Sequence, residues 1–127
     1  MNAAGFQVQL YSQSAGGPVH WRLLSGNNRE CGRSARGYAD ERSCRQGVAR
    51  LQAQAQELAV RVRRVDPNRW IWELHYAERP VATAAHAFDR LIRCDQALSQ
   101  FMVNLPDARV CEDVVVFGAR RWGSAAS

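Results

Sequence analysis

One pattern is written twice in this chain. Trp70-Ile71-Trp72-Glu73-Leu74 alternates, so that Trp70, Trp72 and Leu74 fall on one side of an extended strand. Val19-His20-Trp21-Arg22-Leu23 does the same 51 residues earlier. Farther on the spacing is 50: Tyr38 and Phe88, Cys44 and Cys94, Val48 and Leu98, Leu51 and Phe101. The step from 51 to 50 falls at a hairpin turn that is one residue shorter in the second copy. Such a repeat restricts the fold to one in which two like units complement each other.

Each copy reads as strand, strand, strand, helix. Residues 6 to 12 alternate, with Phe6, Val8 and Leu10 on one face and Gln7, Gln9 and Tyr11 on the other. Strands at about 19 to 24 and 29 to 35 follow, joined by Ser25-Gly26-Asn27-Asn28, where Gly and Asn accept positive φ. Asp40 is placed to cap a helix whose apolar positions are 44, 48, 51 and 55, and which fades near Gln56. The second copy gives strands at 58 to 65, 69 to 76 and 81 to 85 and a short turn at Ala77-Glu78-Arg79. Its helix is capped by Asp89 and carries Leu91, Cys94, Leu98, Phe101 and Met102 as its apolar stripe. A closing strand runs from 110 to 117, and residues 118 to 127 read as a frayed tail.

The expected fold is α+β. It is a single domain over residues 1 to 127, with repeat 1 at about 6 to 56 and repeat 2 at about 58 to 104. Short hairpin connections make the strands antiparallel. The two tandem β-β-β-α units share one antiparallel sheet, both helices pack on one face, and the C-terminal strand closes it. Burying Trp21 or Trp72 yields at most roughly 4–6 kcal/mol each, and ordering fifty residues costs more, so neither half carries a sufficient core alone.

The net charge is +5, and all 17 basic residues are arginine. Arginine scattered through helices and loops points to genome composition rather than selected phosphate contacts. No signal-peptide pattern opens the sequence, and the longest apolar run, Val114-Val115-Val116-Phe117, is too short to span a bilayer. The chain therefore reads as cytoplasmic, off the membrane, with its four cysteines as thiols.

The chain resembles the YegP-like family of small bacterial proteins. The resembling features are the tryptophan strand, the hairpin, the run Ser34-Ala35-Arg36-Gly37-Tyr38, and the helix with Cys44-Arg45-Gln46-Gly47-Val48. Phe88 and Cys94-Asp95-Gln96-Ala97-Leu98 hold the last two places in the second copy, and the likeness covers about residues 6 to 103. The second copy departs from the pattern at Tyr76-Ala77-Glu78-Arg79-Pro80, where a Gly/Asn-rich turn is usual. The resemblance implies β-β-β-α-β units sharing a single antiparallel sheet. It implies no activity, because the family's biochemical function is uncharacterised.

No residue pattern points to catalysis. Cys31, Cys44, Cys94 and Cys111 lack the close pairing of metal sites, and Cys44 and Cys94 sit on the helices' apolar stripes. No serine stands in a nucleophile elbow, no carboxylate pair can be named, and Gly16-Gly17 is not followed by a helix as a phosphate loop requires. The expectation is a non-enzymatic binding or interaction module with no cofactor and no metal. Its candidate binding face is the sheet surface opposite the tryptophans, with Tyr11, His20, Arg22, Arg61, Arg63 and His75. Arginines interleaved with rings on an open sheet suit single-stranded nucleic acid, with the Arg120-Arg121-Trp122 tail adding to it. A solvated sheet face needs the same polar residues. The other class of partner is protein: Leu24, Val65 and Ile71 are expected outward, and a free strand edge can pair with a second copy of the chain.

Overall fold

A computed structural model of the chain describes residues 5–117; the tail at 118 to 127, with Arg120-Arg121-Trp122, lies outside the described residues. Within them, seven strands form one sheet: β1 (Gln7–Ser12), β2 (Val19–Leu24), β3 (Glu30–Ser34), β4 (Ala59–Asp66), β5 (Arg69–Tyr76), β6 (Arg79–Ala84) and β7 (Arg109–Val116). Their order is β4-β5-β6-β3-β2-β1-β7. Helices α1 (Glu41–Ala53) and α2 (Leu91–Asn104) pack on the tryptophan side, α1 over β2 and α2 over β5 and β3. A short 3-10 turn, Ala55–Glu57, follows α1 where the helix was expected to fade.

Equivalent residues meet at the middle of the sheet. β3 and β6 pair antiparallel with Gly32 opposite Ala84, Arg33 opposite Thr83 and Ser34 opposite Ala82. Arg33 and Thr83 are 50 residues apart, so the register is centred on a corresponding pair. The register shifts at Leu23/Leu24 in one half and at Leu74/His75 in the other, which again correspond. Single bridges Val19–Tyr38 and Trp70–Phe88 tie each helix-bound loop back to its tryptophan strand.

The core joins both halves. Trp21 and Trp72 are fully buried, and Phe101 of α2 lies against both, with ring centroids 6.2 and 4.7 Å away. Gly32 makes this possible. A Cβ there would stand 2.7 Å from the rings of Phe101 and Trp72, so a central strand omits a side chain where these two aromatic side chains crowd. Cys44, Val48 and Leu51 face inward from α1, as their spacing requires.

Four expectations are corrected. The sheet is not wholly antiparallel, because β7 runs parallel to β1; β7 is antiparallel to β6, the strand before α2, but it docks beside β1, which three antiparallel pairings set opposite to β6. Asp40 caps α1, accepting from the Ser43 amide at 2.8 Å, but Asp89 does not cap α2. The N-cap there is Arg90, the residue 50 after Asp40, and its side chain makes no capping bond. Leu91 stands outside the apolar stripe, 46% exposed. Leu24 is buried, because the bulge at Leu23/Leu24 interrupts the alternation that would have turned it outward.

The β5–β6 turn achieves a two-residue connection without glycine. Tyr76 pairs with Arg79, and Ala77 and Glu78 have φ of 50° and 66°. Both lie in the left-handed region that a type I′ turn demands and that Asn-Gly fills with least strain. The double change Ala77→Asn, Glu78→Gly is therefore expected to stabilise the fold by about 1 kcal/mol. It would be read as a higher urea midpoint at unchanged slope.

Candidate interaction surfaces on the sheet

A line of polar side chains crosses the open face from β4 to β1: Arg61, Glu73, Thr83, Arg33, Arg22 and Gln9, each opposite the next on its neighbouring strand. Alternation places them there, since from β5 to β1 the residues on either side turn into the core.

The charges along this line are largely matched. Arg22 donates through Nε and Nη2 to Gln9 Oε1 at 2.9 and 2.6 Å, and through Nη1 to Glu30 Oε1 at 3.3 Å. Arg33 shares the other Glu30 oxygen. The Arg22 guanidinium also lies 5.5 Å from the Tyr11 ring centre and 5.3 Å from that of Phe117. Tyr11 stacks on His20 at 5.3 Å. Burial pushes the Tyr11 hydroxyl pKa up, and the Arg33 guanidinium works against that push. On the other half, Arg63 donates to Glu73 Oε2 at 3.3 and 3.2 Å, and His75 Nε2 lies 3.4 Å from Glu73 Oε1. Arg61 stands opposite Glu73, exposed and without an ion pair among the described residues.

The expected binding face thus divides in two. Tyr11, His20 and Arg22 come together on β1 and β2; Arg61, Arg63 and His75 surround Glu73 on β4 and β5. Two of the six are not surface groups. Tyr11 is 7% exposed, covered by its neighbours Phe117 and Arg22, and His75 is 8% exposed at the second-half counterpart of the bulge that buries Leu24. Among the described residues, the Nδ1 of His75 is buried without a hydrogen-bond partner. Glu30, the counter-charge to two arginines, was not anticipated; it pairs with Leu24 at a register shift, where alternation gives no signal for its direction.

The sheet's two edges differ. β4 ends the sheet on one side and is exposed on both faces: Val60 is 48% and Val65 40% exposed, and Arg61, Arg63 and Arg64 are all exposed. Arg64 lies over the Trp70 ring at 5.2 Å. At the opposite edge, the register of β7 against β1 shifts between Val8 and Leu10. Arg45 of α1 reaches β7, donating to the carbonyl of Cys111 at 2.8 Å and to that of Glu112. A bulge and a side chain on its carbonyls blunt that edge, while β4 is long and regular over most of its length.

The thiols of Cys44 and Cys94 are fully buried, and burial pushes the Cys44 pKa up to about 12 and that of Cys94 in the same direction. Such thiols stay protonated and unreactive. Among the described residues no three of His, Cys, Asp and Glu converge as a metal set, and no helix is long and apolar enough to cross a membrane.

Comparison with known proteins places this geometry. Residues 14–61 match the model of a domain of unknown function, DUF1508. The fold is similar to that of yegP from E. coli, a protein of unknown function, at TM-score 0.69 and 13% identity over 90% of this chain and 97% of that one. It is also similar to a UPF0339 protein from Shewanella oneidensis, at TM-score 0.66 and 17% identity over 84% and 89%. No curated protein matches the sequence. The YegP-like resemblance is borne out, by sequence over residues 14–61 and by fold over most of the chain.

Proposed function

We propose that this chain is a non-enzymatic interaction module, built from two tandem β-β-β-α units, that docks an extended segment of another protein along β4. The observation that carries this reading is the exposure of β4 on both faces at a free sheet edge. A strand so placed offers unpaired N–H and C=O groups as a template, with side-chain contacts on alternate positions. Arg61, Arg63 and Arg64 give the strand a basic character, with only Arg63 of the three held by a carboxylate among the described residues, so the fitting segment is acidic with apolar residues between. Pairing β4 with a second β4 would set arginines against arginines.

The test is a titration of the labelled protein with a short peptide of alternating Glu and Val, followed by amide hydrogen exchange. Slower exchange along β4, with β7 unchanged, is the expected result. Protection elsewhere, or none, would sink the reading. Association that grows with concentration in the absence of peptide would assign the edge to a second copy, whose β7 carries Glu112 and Asp113, and would also overturn it.

The second reading is single-stranded nucleic acid on the open face, favoured by the Tyr11–His20 stack beside Arg22. It requires Arg22 and Arg63 to exchange Glu30 and Glu73 for phosphate. Salt-sensitive anisotropy of labelled single-stranded DNA, lost when Arg22, Arg61 and Arg63 are replaced by Ala, separates it from the first.

A further inference from the structure

We propose that the groove between α1 and the β5–β6 hairpin binds a phosphorylated small molecule with a planar ring, of the nucleoside-phosphate class. Arg36, Arg50 and Arg79 line this groove together with Tyr38, Tyr76 and Leu51. Its volume is about 510 Å³, within the range of cavities that enclose small ligands.

The electrostatics single it out. None of the three arginines has an ion pair among the described residues, and no carboxylate lines the groove. On the open sheet face, by contrast, Glu30 and Glu73 hold Arg22, Arg33 and Arg63. Three unpaired guanidinium groups around one concavity repel one another, and an anion relieves that repulsion; guanidinium presents paired donors matched to phosphate oxygens. The two tyrosine rings and the leucine provide an apolar surface on which a flat ring can stack. Arg36 and Arg50 line the groove together with the Tyr38 ring.

The corresponding groove beneath α2 sharpens the contrast. His86, Phe88 and Arg29 stand there in the places of Arg36, Tyr38 and Arg79. That groove is wider, about 1450 Å³, and Asp89 and Asp95 line it, offsetting its arginines. Each half has such a groove, but the one at α1 sets three arginines against no carboxylate, whereas at α2 two aspartates face three arginines. This site is separate from β4, and its test does not depend on the proposed docking strand.

The experiment is an NMR titration of the whole chain with ADP, with pyrophosphate as the ring-free comparison. The expected result is saturable binding of ADP with shifts centred on Tyr38, Gly47 and Val81, and at least tenfold weaker binding of pyrophosphate. Arg50→Ala combined with Arg79→Ala, both exposed positions, is expected to weaken ADP at least tenfold while leaving the remaining spectrum folded. Arg42→Ala combined with Arg109→Ala removes equal charge from elsewhere and is expected to change affinity less than twofold. No saturation with millimolar ADP, or equal weakening by both pairs, would overturn the site. Pyrophosphate binding as tightly as ADP would overturn the nucleoside part of the proposal.

Discussion

Phe101→Ala is expected to lower the unfolding free energy by about 3–5 kcal/mol, the range for deleting a buried aromatic ring. Phe101 is fully buried, and its ring is held between Trp21 and Trp72, so its neighbours are themselves large, flat and fixed. Rings of that kind cannot collapse into the space left behind, which puts the cost toward the upper part of the range. Domains of this size have only about 5–15 kcal/mol in total, so the variant should be measured by urea unfolding in the cold. Val103→Ala on the same helix, at a position 70% exposed, should change stability by no more than about 0.5 kcal/mol. The form of the transition matters as much as its midpoint. Phe101 belongs to the second half but touches the tryptophan of the first, so both proteins should unfold in one step with one slope. Two separate transitions would mean that the halves hold independent cores, contrary to this packing.

The parts of this fold that could be read from sequence are those set by period and by local chemistry. Trp21, Trp72, Leu23 and Leu74 alternate and are all fully buried. Cys44, Val48 and Leu51 follow helical spacing and line α1's inner face. Asp40 caps because its side chain needs only the amide three residues on. The failures share another cause. Leu24 and His75 were placed outward by strict alternation, and one inserted irregularity at the same point in each half buries both. Asp89 suits a cap by residue type, yet the N-cap is Arg90, which the spacing of 50 from Asp40 matches. The parallel placement of β7, the free edge at β4 and the acid-free groove depend on which elements become neighbours. That information lies in the pairing of distant strands, and no window of sequence contains it. Each surface that carries a proposal is of this second kind, whereas Tyr11 and His75, chosen from the alternation alone, are covered.

Gly47→Ala is expected to destabilise the chain by about 1–2 kcal/mol, although alanine is the better helix former by about 1 kcal/mol. A Cβ at Gly47 would stand 2.6 Å from the Tyr38 hydroxyl oxygen and 2.8 Å from two ring carbons. The ring has little freedom to retreat, since Tyr38 is tied to Val19 by two backbone hydrogen bonds of 2.7 and 2.8 Å. Overpacking against so fixed a group costs about 1–3 kcal/mol, more than the propensity gain. The second half of the chain presents the complementary solution. Ala97 stands where Gly47 does, and its partner Phe88 lacks the hydroxyl that Tyr38 carries. Transplanting that pair should therefore repair the damage: Tyr38→Phe added to Gly47→Ala is expected to restore most of the loss, a coupling of about 1–2 kcal/mol in a double-mutant cycle. Tyr38→Phe alone should cost little. Burial raises the Tyr38 pKa and the Trp21 indole N–H opposes that rise, but Trp21 Nε1 does not reach full hydrogen-bond geometry. Trp72 Nε1, the equivalent atom in the second half, is likewise buried without a hydrogen-bond partner among the described residues. Purely additive effects in the cycle would show that Gly47 is retained for some reason other than the tyrosine hydroxyl.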